Sequence, residues 1–406
     1  MSENRIDGGR FQCSAVGRDQ MPQCSTSGHR ILFIAPAPRA GTVQYTHNLA
    51  NALVQRGHRV VLATGVGFEL ADYPRGYEAL EVFDRYKPRP LRLGRFLWRC
   101  MTFRPQIVHL QGAQHPALYI LLWALLTAVG ARHFVYTPQD VLPNARGRHH
   151  IRAFRFLYAR MRHVFLNAKQ NEPLVITHFG VPPERITVLP MADLTAFVRE
   201  SPPAAPRDIP QGAKVVLCFG LIEPRKGIDT LLSAAPEVVR QEPDALILIV
   251  GKPLMDLAPL ERQLSALDLR KHVRIMPGYV GFAEMAGYFS TARLLVLPYE
   301  EGWNSGVLAS AIGFGKPVVA TRVGGFDEVV KDEVTGLIVP PKDPVALATA
   351  LVRLLRDDEL CARMSQSVQA AAGEISWDAI ARVTEACYVR VLVNGAYCHV
   401  SQAREY

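Results

Sequence analysis

Apolar residues in this 406-residue chain fall into short unbroken runs, separated by stretches where they recur every third or fourth position. The first run is Ile31-Leu32-Phe33-Ile34-Ala35. Later runs are Val60 to Ala63, Gln106 to Leu110, His133 to Thr137, Val164 to Ala168 and Ile186 to Pro190. The second half adds Val215 to Phe219, Leu246 to Val250, Val273 to Met276, Leu294 to Leu297 and Val318 to Ala320. Runs this short, ended by Gly, Pro or polar residues, predict parallel strands buried on both faces. Between them lie helical stripes such as Tyr45, Leu49, Ala52, Leu53 and Ile228, Leu231, Leu232, Ala235. The alternation predicts a doubly wound α/β chain.

Polar, proline-rich stretches divide it. Residues 1–29 hold no apolar core and predict a disordered leader. Residues 196–212 are rich in Pro and polar side chains and predict a linker. Two domains follow, over residues 30–195 and 213–375, with ligands expected in the crevice between them.

Chemistry concentrates where strands end in glycine. Val215 to Phe219 runs into Gly220, a loop with Glu223, Pro224, Arg225 and Lys226, then Gly227 and a helix. Free N–H groups and the helix dipole converge at such a junction and favour anions. Arg225 adds a planar fork and Lys226 a mobile point charge for phosphate oxygens. A solvated Arg-Lys pair on an ordinary loop has the same sequence. The segment is not a P-loop, because Arg225 and Gly227 stand where G-x-x-x-x-G-K-[ST] needs Gly and Ser/Thr. Ser305-Gly306-Val307 opens a helix after the Leu294–Leu297 run and offers either a second cradle or a plain N-cap. Gly41 closes the loop after the first strand, again at a ligand-facing end.

Composition narrows the partners. A net charge of +9 and a pI near 9.3 favour phosphates or an anionic membrane face. No recognised nucleic-acid motif accompanies the charge. Seven scattered cysteines without a C-x-x-C pair predict reduced thiols in a cytoplasm, and neither a disulfide frame nor a zinc site. The apolar run from Ala117 to Val129 is too short to span a bilayer. Arg146 to His163 sets arginines around Ile151, Phe154, Leu157, Tyr158 and Met161. It reads either as a packed helix with solvated arginines or as a peripheral contact on the inner face of the plasma membrane.

Several segments together resemble glycosyltransferase family 4, the group 1 transferases of the GT-B fold. They are PRAGTVQYTHNLANALVQRGHRV, FGLIEPRKGIDTLLSAAP, ARLLVLPY, SGVLASAIGFGKPVVATRVGGFDEVV, TGLIVPPKDPVALA and ISWDAIARVTEACY. The resemblance covers about residues 30 to 393. It implies two Rossmann-like domains facing a central cleft. It also implies a retaining transfer from a nucleotide-diphosphate sugar to a lipid-linked or glycan acceptor, without metal or other cofactor. Arg225 and Lys226 would hold the donor diphosphate. Gly41 would close over the donor, with Gly220, Asn304, Ser305, Gly306 and Val307 around it. Tyr279 and Val280 match the loop that receives the base. The helix over residues 376–394 would cross back to the first domain, leaving 395–406 as a tail.

The chain departs from that pattern. The family's two glutamates fall on Gly302 and Ser310, with Glu301 one position from the first slot. Gln139 stands where the family often has His. An amide binds hydroxyls but is no general base. Gln139 and Asp140 are the expected acceptor-side residues; Asp140 also reads as a cap or turn residue. These losses leave a second reading open: a non-catalytic relative that binds a nucleotide sugar or glycan and supports a partner transferase.

Overall fold

The computed structural model describes residues 28–112, 115–139, 141, 148–198, 206, 209–302, 305–374 and 376–401. The first half runs β1 (Arg30–Ala35), α1 (Gly41–Gln55), β2 (Arg59–Gly65), β3 (Glu78–Asp84), β4 (Lys87–Pro88) and α2 (Pro90–Phe103). It continues β5 (Ile107–Gln111), α3 (Pro116–Ala128), β6 (Phe134–Thr137), α4 (Arg148–Arg160), β7 (His163–Leu166), α5 (Asn171–Phe179) and β8 (Ile186–Val188). These strands form one sheet in the order β4-β3-β2-β1-β5-β6-β7-β8.

The second half runs β9 (Lys214–Phe219), α6 (Ile228–Gln241), β10 (Ala245–Gly251), α7 (Ala258–Ala266), β11 (Val273–Pro277) and α8 (Phe282–Thr291). Then come β12 (Leu294–Leu297), α9 (Gly306–Gly313), β13 (Val318–Thr321), α10 (Phe326–Val329) and β14 (Gly336–Val339). Helices α11 (Pro344–Arg356), α12 (Asp358–Glu374) and α13 (Trp377–Ser401) complete it. The second sheet has the order β11-β10-β9-β12-β13-β14. In each sheet the order reverses beside the strand met first in the chain, β1 or β9, which opens a crevice at the carboxyl ends.

Burial explains the apolar runs. Residues 31–35 of β1 and all of β10 are buried, as strands covered on both faces must be. Every described strand pairing is parallel except β3 with β4. An apolar cluster runs from the inner face of the first sheet through Leu194 and Val198 to the second. Helix α13 returns across the seam. Its Trp377 donates Nε1–H to the Asp193 carbonyl at 2.8 Å and meets Tyr45 edge-on. Glu385 takes Arg56 at 2.6 Å, and the Tyr388 hydroxyl lies 2.6 Å from His109 Nδ1.

Several expectations need correction. Helix α13 continues to Ser401, beyond the end expected at residue 394, because no Pro stops the chain there and a single Gly395 is too weak a breaker. The stretch expected as linker begins with a packed turn: Val198 is buried, and Phe197 meets His47, Tyr73 and Phe282 edge-on. The basic helix ends at Arg160, and His163 belongs to β7. Phe154, Leu157, Tyr158 and Met161 are buried against the first domain, so the apolar side faces inward. The outer face of α4 is polar and basic apart from Ala159 and Phe156, the latter lying under Arg160. Residues 1–27, Arg146 and most of 199–208 lie outside the described residues. Among the described residues no helix is long and apolar enough to cross a membrane.

Candidate functional site

After β9 the chain turns at Gly220, with φ of 114°. Pro224, Arg225 and Lys226 make one 3-10 turn, and Gly227, at φ 61°, hands it to α6. The Arg225 carbonyl accepts the Glu300 N–H at 2.9 Å, which fastens the turn to the residues after β12. A Cβ on Gly227 would stand 2.0 Å from the Pro298 carbonyl oxygen, so only glycine allows this approach.

The geometry separates the two cations. Arg225 is half-exposed and pairs with Glu223 at 2.6 Å. Lys226 is 8 % exposed, and its ammonium lies 3.6 Å from the centre of the Tyr299 ring. Among the described residues that ammonium forms no hydrogen bond and no ion pair. Burial pushes its pKa down to about 7; neighbouring Arg225 adds to this, and Glu223 opposes it. A buried ammonium resting only on an aromatic face is costly until an anion meets it.

Helix α9 supplies the opposite wall. The Ser305 hydroxyl accepts the Leu308 N–H at 3.2 Å and lies 3.4 Å from the Tyr299 hydroxyl. Ser305 is therefore an N-cap, and the N–H groups of Gly306 and Val307 in the first turn remain for a ligand. Val307 reaches Gly220: its Cγ2 lies 3.2 Å from where a Cβ on that glycine would stand. Leu194 Cδ1 lies 3.7 Å from a Cβ placed on Gly41 and 3.0 Å from one placed on Gly306. The amino ends of α1 and α9 thus converge over Leu194. Gly41, Gly220, Lys226, Ser305, Gly306 and Val307 come together at the seam.

Tyr279, the residue expected to receive the base, also reaches the first domain. Its hydroxyl donates to the Glu69 carboxylate of the first domain, and the Arg39 guanidinium lies 5.6 Å from its ring centre. Glu69 also accepts the Ala40 N–H at 2.7 Å, next to Gly41. Burial raises the Glu69 carboxyl pKa, against the pull of Tyr279 and the Ala40 amide. Tyr279 and Glu69 clasp the glycine loop to the second sheet. Tyr279→Phe is expected to leave the melting temperature within about 2 °C, since it removes one half-exposed hydrogen bond. It should raise the radius of gyration in small-angle scattering; an unchanged scattering curve would count against the clasp. Val280 is half-buried and packs on the shared core.

Glu300, one position before Glu301, is the acid pressed to the turn. Its Cγ lies 3.5 Å from a Cβ placed on Gly227, and its carboxylate pairs with Lys342 at 3.0 Å. Glu301 is exposed. Gln139 is half-buried with its Nε2 sealed from solvent. Asp140 and Asn304 lie outside the described residues. Sequence reasoning missed Tyr299 and Glu69. Tyr299 had a signal, as an aromatic two positions after a buried strand; Glu69 sits in a stretch with no period.

Comparison with known proteins follows the same division. Residues 39–192 match the model described as Glycosyltransferase Family 4, and residues 213–357 that described as Glycosyl transferases group 1. A D-inositol 3-phosphate glycosyltransferase of Corynebacterium efficiens is 32% identical over 235 residues, 55% of each chain. A phosphatidyl-myo-inositol mannosyltransferase of Mycobacterium leprae is 35% identical over 194 residues, 47% of this chain and 50% of that one. These matches span about half the length of the relatives. The Anabaena HepE structure in complex with UDP-glucose superimposes with a TM-score of 0.68 at 17% identity, covering 88% of this chain and 99% of that one. At that identity the likeness shows the fold: two Rossmann-like domains in the GT-B arrangement.

Proposed function

The chain belongs to glycosyltransferase family 4, group 1, and on that premise we propose that it is a retaining glycosyltransferase. It takes a sugar from a nucleotide-diphosphate sugar and passes it to a lipid-linked or glycan acceptor, in the making of a polysaccharide, glycolipid or cell-envelope component. The observation that carries this reading is Lys226, buried at the carboxyl end of β9 with no ion pair and no hydrogen bond on its ammonium among the described residues.

The donor diphosphate lies against Lys226 and Arg225, between the amides of Gly306 and Val307 and the glycine loop at Gly41. In the transfer, the bond from C1 to the diphosphate oxygen breaks and one from C1 to the acceptor oxygen forms on the same face. The acceptor's proton goes to the departing diphosphate, so no protein base is required. The cations and helix amides meet the charge that grows on the leaving oxygen. The site's own cations serve in place of a metal ion. Of the two acids, Glu300 is held by Lys342, and Glu301 is the one left to reach the donor sugar or ribose. The names of the relatives put inositol phosphate and phosphatidyl-inositol first among acceptors to try. Work at a cytosolic membrane face belongs to the same reading, through the arginines outside α4; cosedimentation with anionic vesicles tests it.

A non-catalytic binder is the second reading. The position of the family's second glutamate holds Ser310, which is buried and donates its hydroxyl to the Gly306 carbonyl at 2.9 Å. Thermal shifts with UDP, GDP, ADP, TDP and CDP and their sugars test donor binding. At about 100 times the dissociation constant a ligand stabilises by about 2.7 kcal/mol. One nucleotide is expected to shift the wild type and not Arg225→Ala/Lys226→Ala. Donor binding without turnover on any acceptor favours the second reading; no shift with any nucleotide counts against the transferase reading for these donors and leaves the glycan-binding form of the second.

A further inference from the structure

The amino ends of the first sheet lie opposite the cleft, a strand's length away: β1 spans six residues, about 20 Å. A cavity of about 450 Å³ sits at that far edge, under β1 and β5 and between the ends of α2 and α3. Its volume falls in the range of small-molecule sites, roughly 300–1,000 Å³. Met101, Arg104 and Gly130 line it and are exposed, so it is open to solvent. The walls are apolar: Met101 comes from α2, Leu126 from α3, and Val129 and Ala131 from the turn after α3. Cys100 adds a thiol that burial keeps neutral, its pKa pushed up to about 12.

The polar side chains of the lining are Arg30, Arg104 and Gln106, and no acid is among them. Hydrogen bonds hold these three in place. Arg30 Nε donates to the Arg104 carbonyl at 2.8 Å, and Gln106 Oε1 accepts the Arg30 N–H at 3.0 Å. The Arg104 N–H donates to the Cys100 carbonyl at 2.8 Å. The terminal nitrogens of Arg30, the Arg104 guanidinium and the Gln106 NH2 remain. Among the described residues these groups have no hydrogen-bond partner, and neither guanidinium has an ion pair. Charge then sets the ligand class. Helices α2 and α3 end at the cavity, and each helix end carries about half a negative charge. The two guanidiniums outweigh them by about one positive charge. Arg59 and Arg132 stand at the amino ends of neighbouring β2 and β6 and raise the potential along this edge.

We propose that this cavity is a second ligand site, and that it takes an anion with an apolar tail. The phosphate or carboxylate head meets Arg30 and Arg104, and the tail lies between α2 and α3. A guanidinium presents a planar fork to either head. Met101 is unbranched and adapts to the shape of a tail. Bare phosphate leaves the apolar walls unmet, and a neutral alkyl chain leaves the guanidiniums unmet. The site stands apart from the transferase reading, because none of its residues belongs to the cleft.

The test is calorimetric titration of the full chain, and of Arg104→Gln and Val129→Trp, with octyl phosphate, octan-1-ol and inorganic phosphate. Octyl phosphate is expected to bind once per chain, at least tenfold more tightly than the other two. Arg104→Gln removes a side chain without partners, so its melting temperature should stay within about 2 °C of wild type. Val129→Trp fills the space of the tail. Each variant is expected to weaken octyl phosphate at least tenfold. No octyl phosphate binding by the wild type, equal binding of octan-1-ol, or unchanged binding by Arg104→Gln overturns the proposal. Phosphatidylglycerol vesicles separate the two sources of such a head. Vesicle binding that weakens in Arg104→Gln, together with octyl phosphate binding, assigns the site to a lipid. Octyl phosphate binding lost in Arg104→Gln with vesicle binding unchanged assigns it to a free amphiphile.

Discussion

Lys226→Met is expected to abolish sugar transfer and, at pH 6, to raise the melting temperature. Both effects come from one buried charge. The ordinary lysine pKa of 10.5 falls to about 7 in the folded chain. A tenfold loss of proton affinity corresponds to about 1.4 kcal/mol, so keeping Lys226 protonated in the fold costs up to about 5 kcal/mol. An uncharged side chain of similar length avoids that cost. The sign with pH follows from linkage. Between pH 7 and 10.5 the unfolded chain holds the proton and the folded chain does not, so wild-type stability rises with pH there. Below pH 7 both hold it, and the cost is present in full. The Lys226→Met melting profile should lack that rise, and the two should converge near pH 10. Transfer should fall about 10³-fold, the scale of losing one preorganised charge at a growing oxyanion. A variant that melts lower at pH 6 and still turns over would show that Lys226 is an ordinary structural lysine.

Gly227→Ala is the second large effect, and it acts on position rather than charge. The left-handed conformation alone costs an alanine about 1–2 kcal/mol. The added Cβ would also stand 2.0 Å from the Pro298 oxygen, so the turn or the end of β12 must move by more than an ångström. A total loss of more than about 3 kcal/mol is expected, together with loss of nucleotide binding as Lys226 leaves the Tyr299 ring. Gly212 supplies the control, at φ 82° with nothing within 4 Å of an added Cβ. Gly212→Ala should show the conformational cost alone, about 1–2 kcal/mol, with nucleotide binding intact. Equal melting temperatures for the two variants would remove the close approach from the explanation.

The sequence by itself determined the elements whose signals are local. Unbroken apolar runs such as Ile31–Ala35 and Val215–Phe219 are strands because both faces are covered, and composition alone shows that. The turn from Gly220 to Gly227 was legible because its glycines, cations and helix start lie within eight positions. Ser305 was legible as an N-cap for the same reason. Strands β3 and β4 were not foreseen. At the sheet's edge, polar Glu78 and Glu81 break the apolar run, and β4 has only two residues.

Only the tertiary structure decided what crosses long stretches of chain. Tyr279 and Glu69 are 210 positions apart, so nothing in either stretch announces the clasp. The apolar stripe of α4 fits a bilayer as well as a protein core until the first sheet is seen to cover it. Glu300 and Glu301 differ by one position, and the fastening of the turn to β12 decides which faces Gly227. Periodicity fixes local backbone and facing. Crossovers and shared burial fix which faces meet, and a site at a seam between two sheets is set by those meetings.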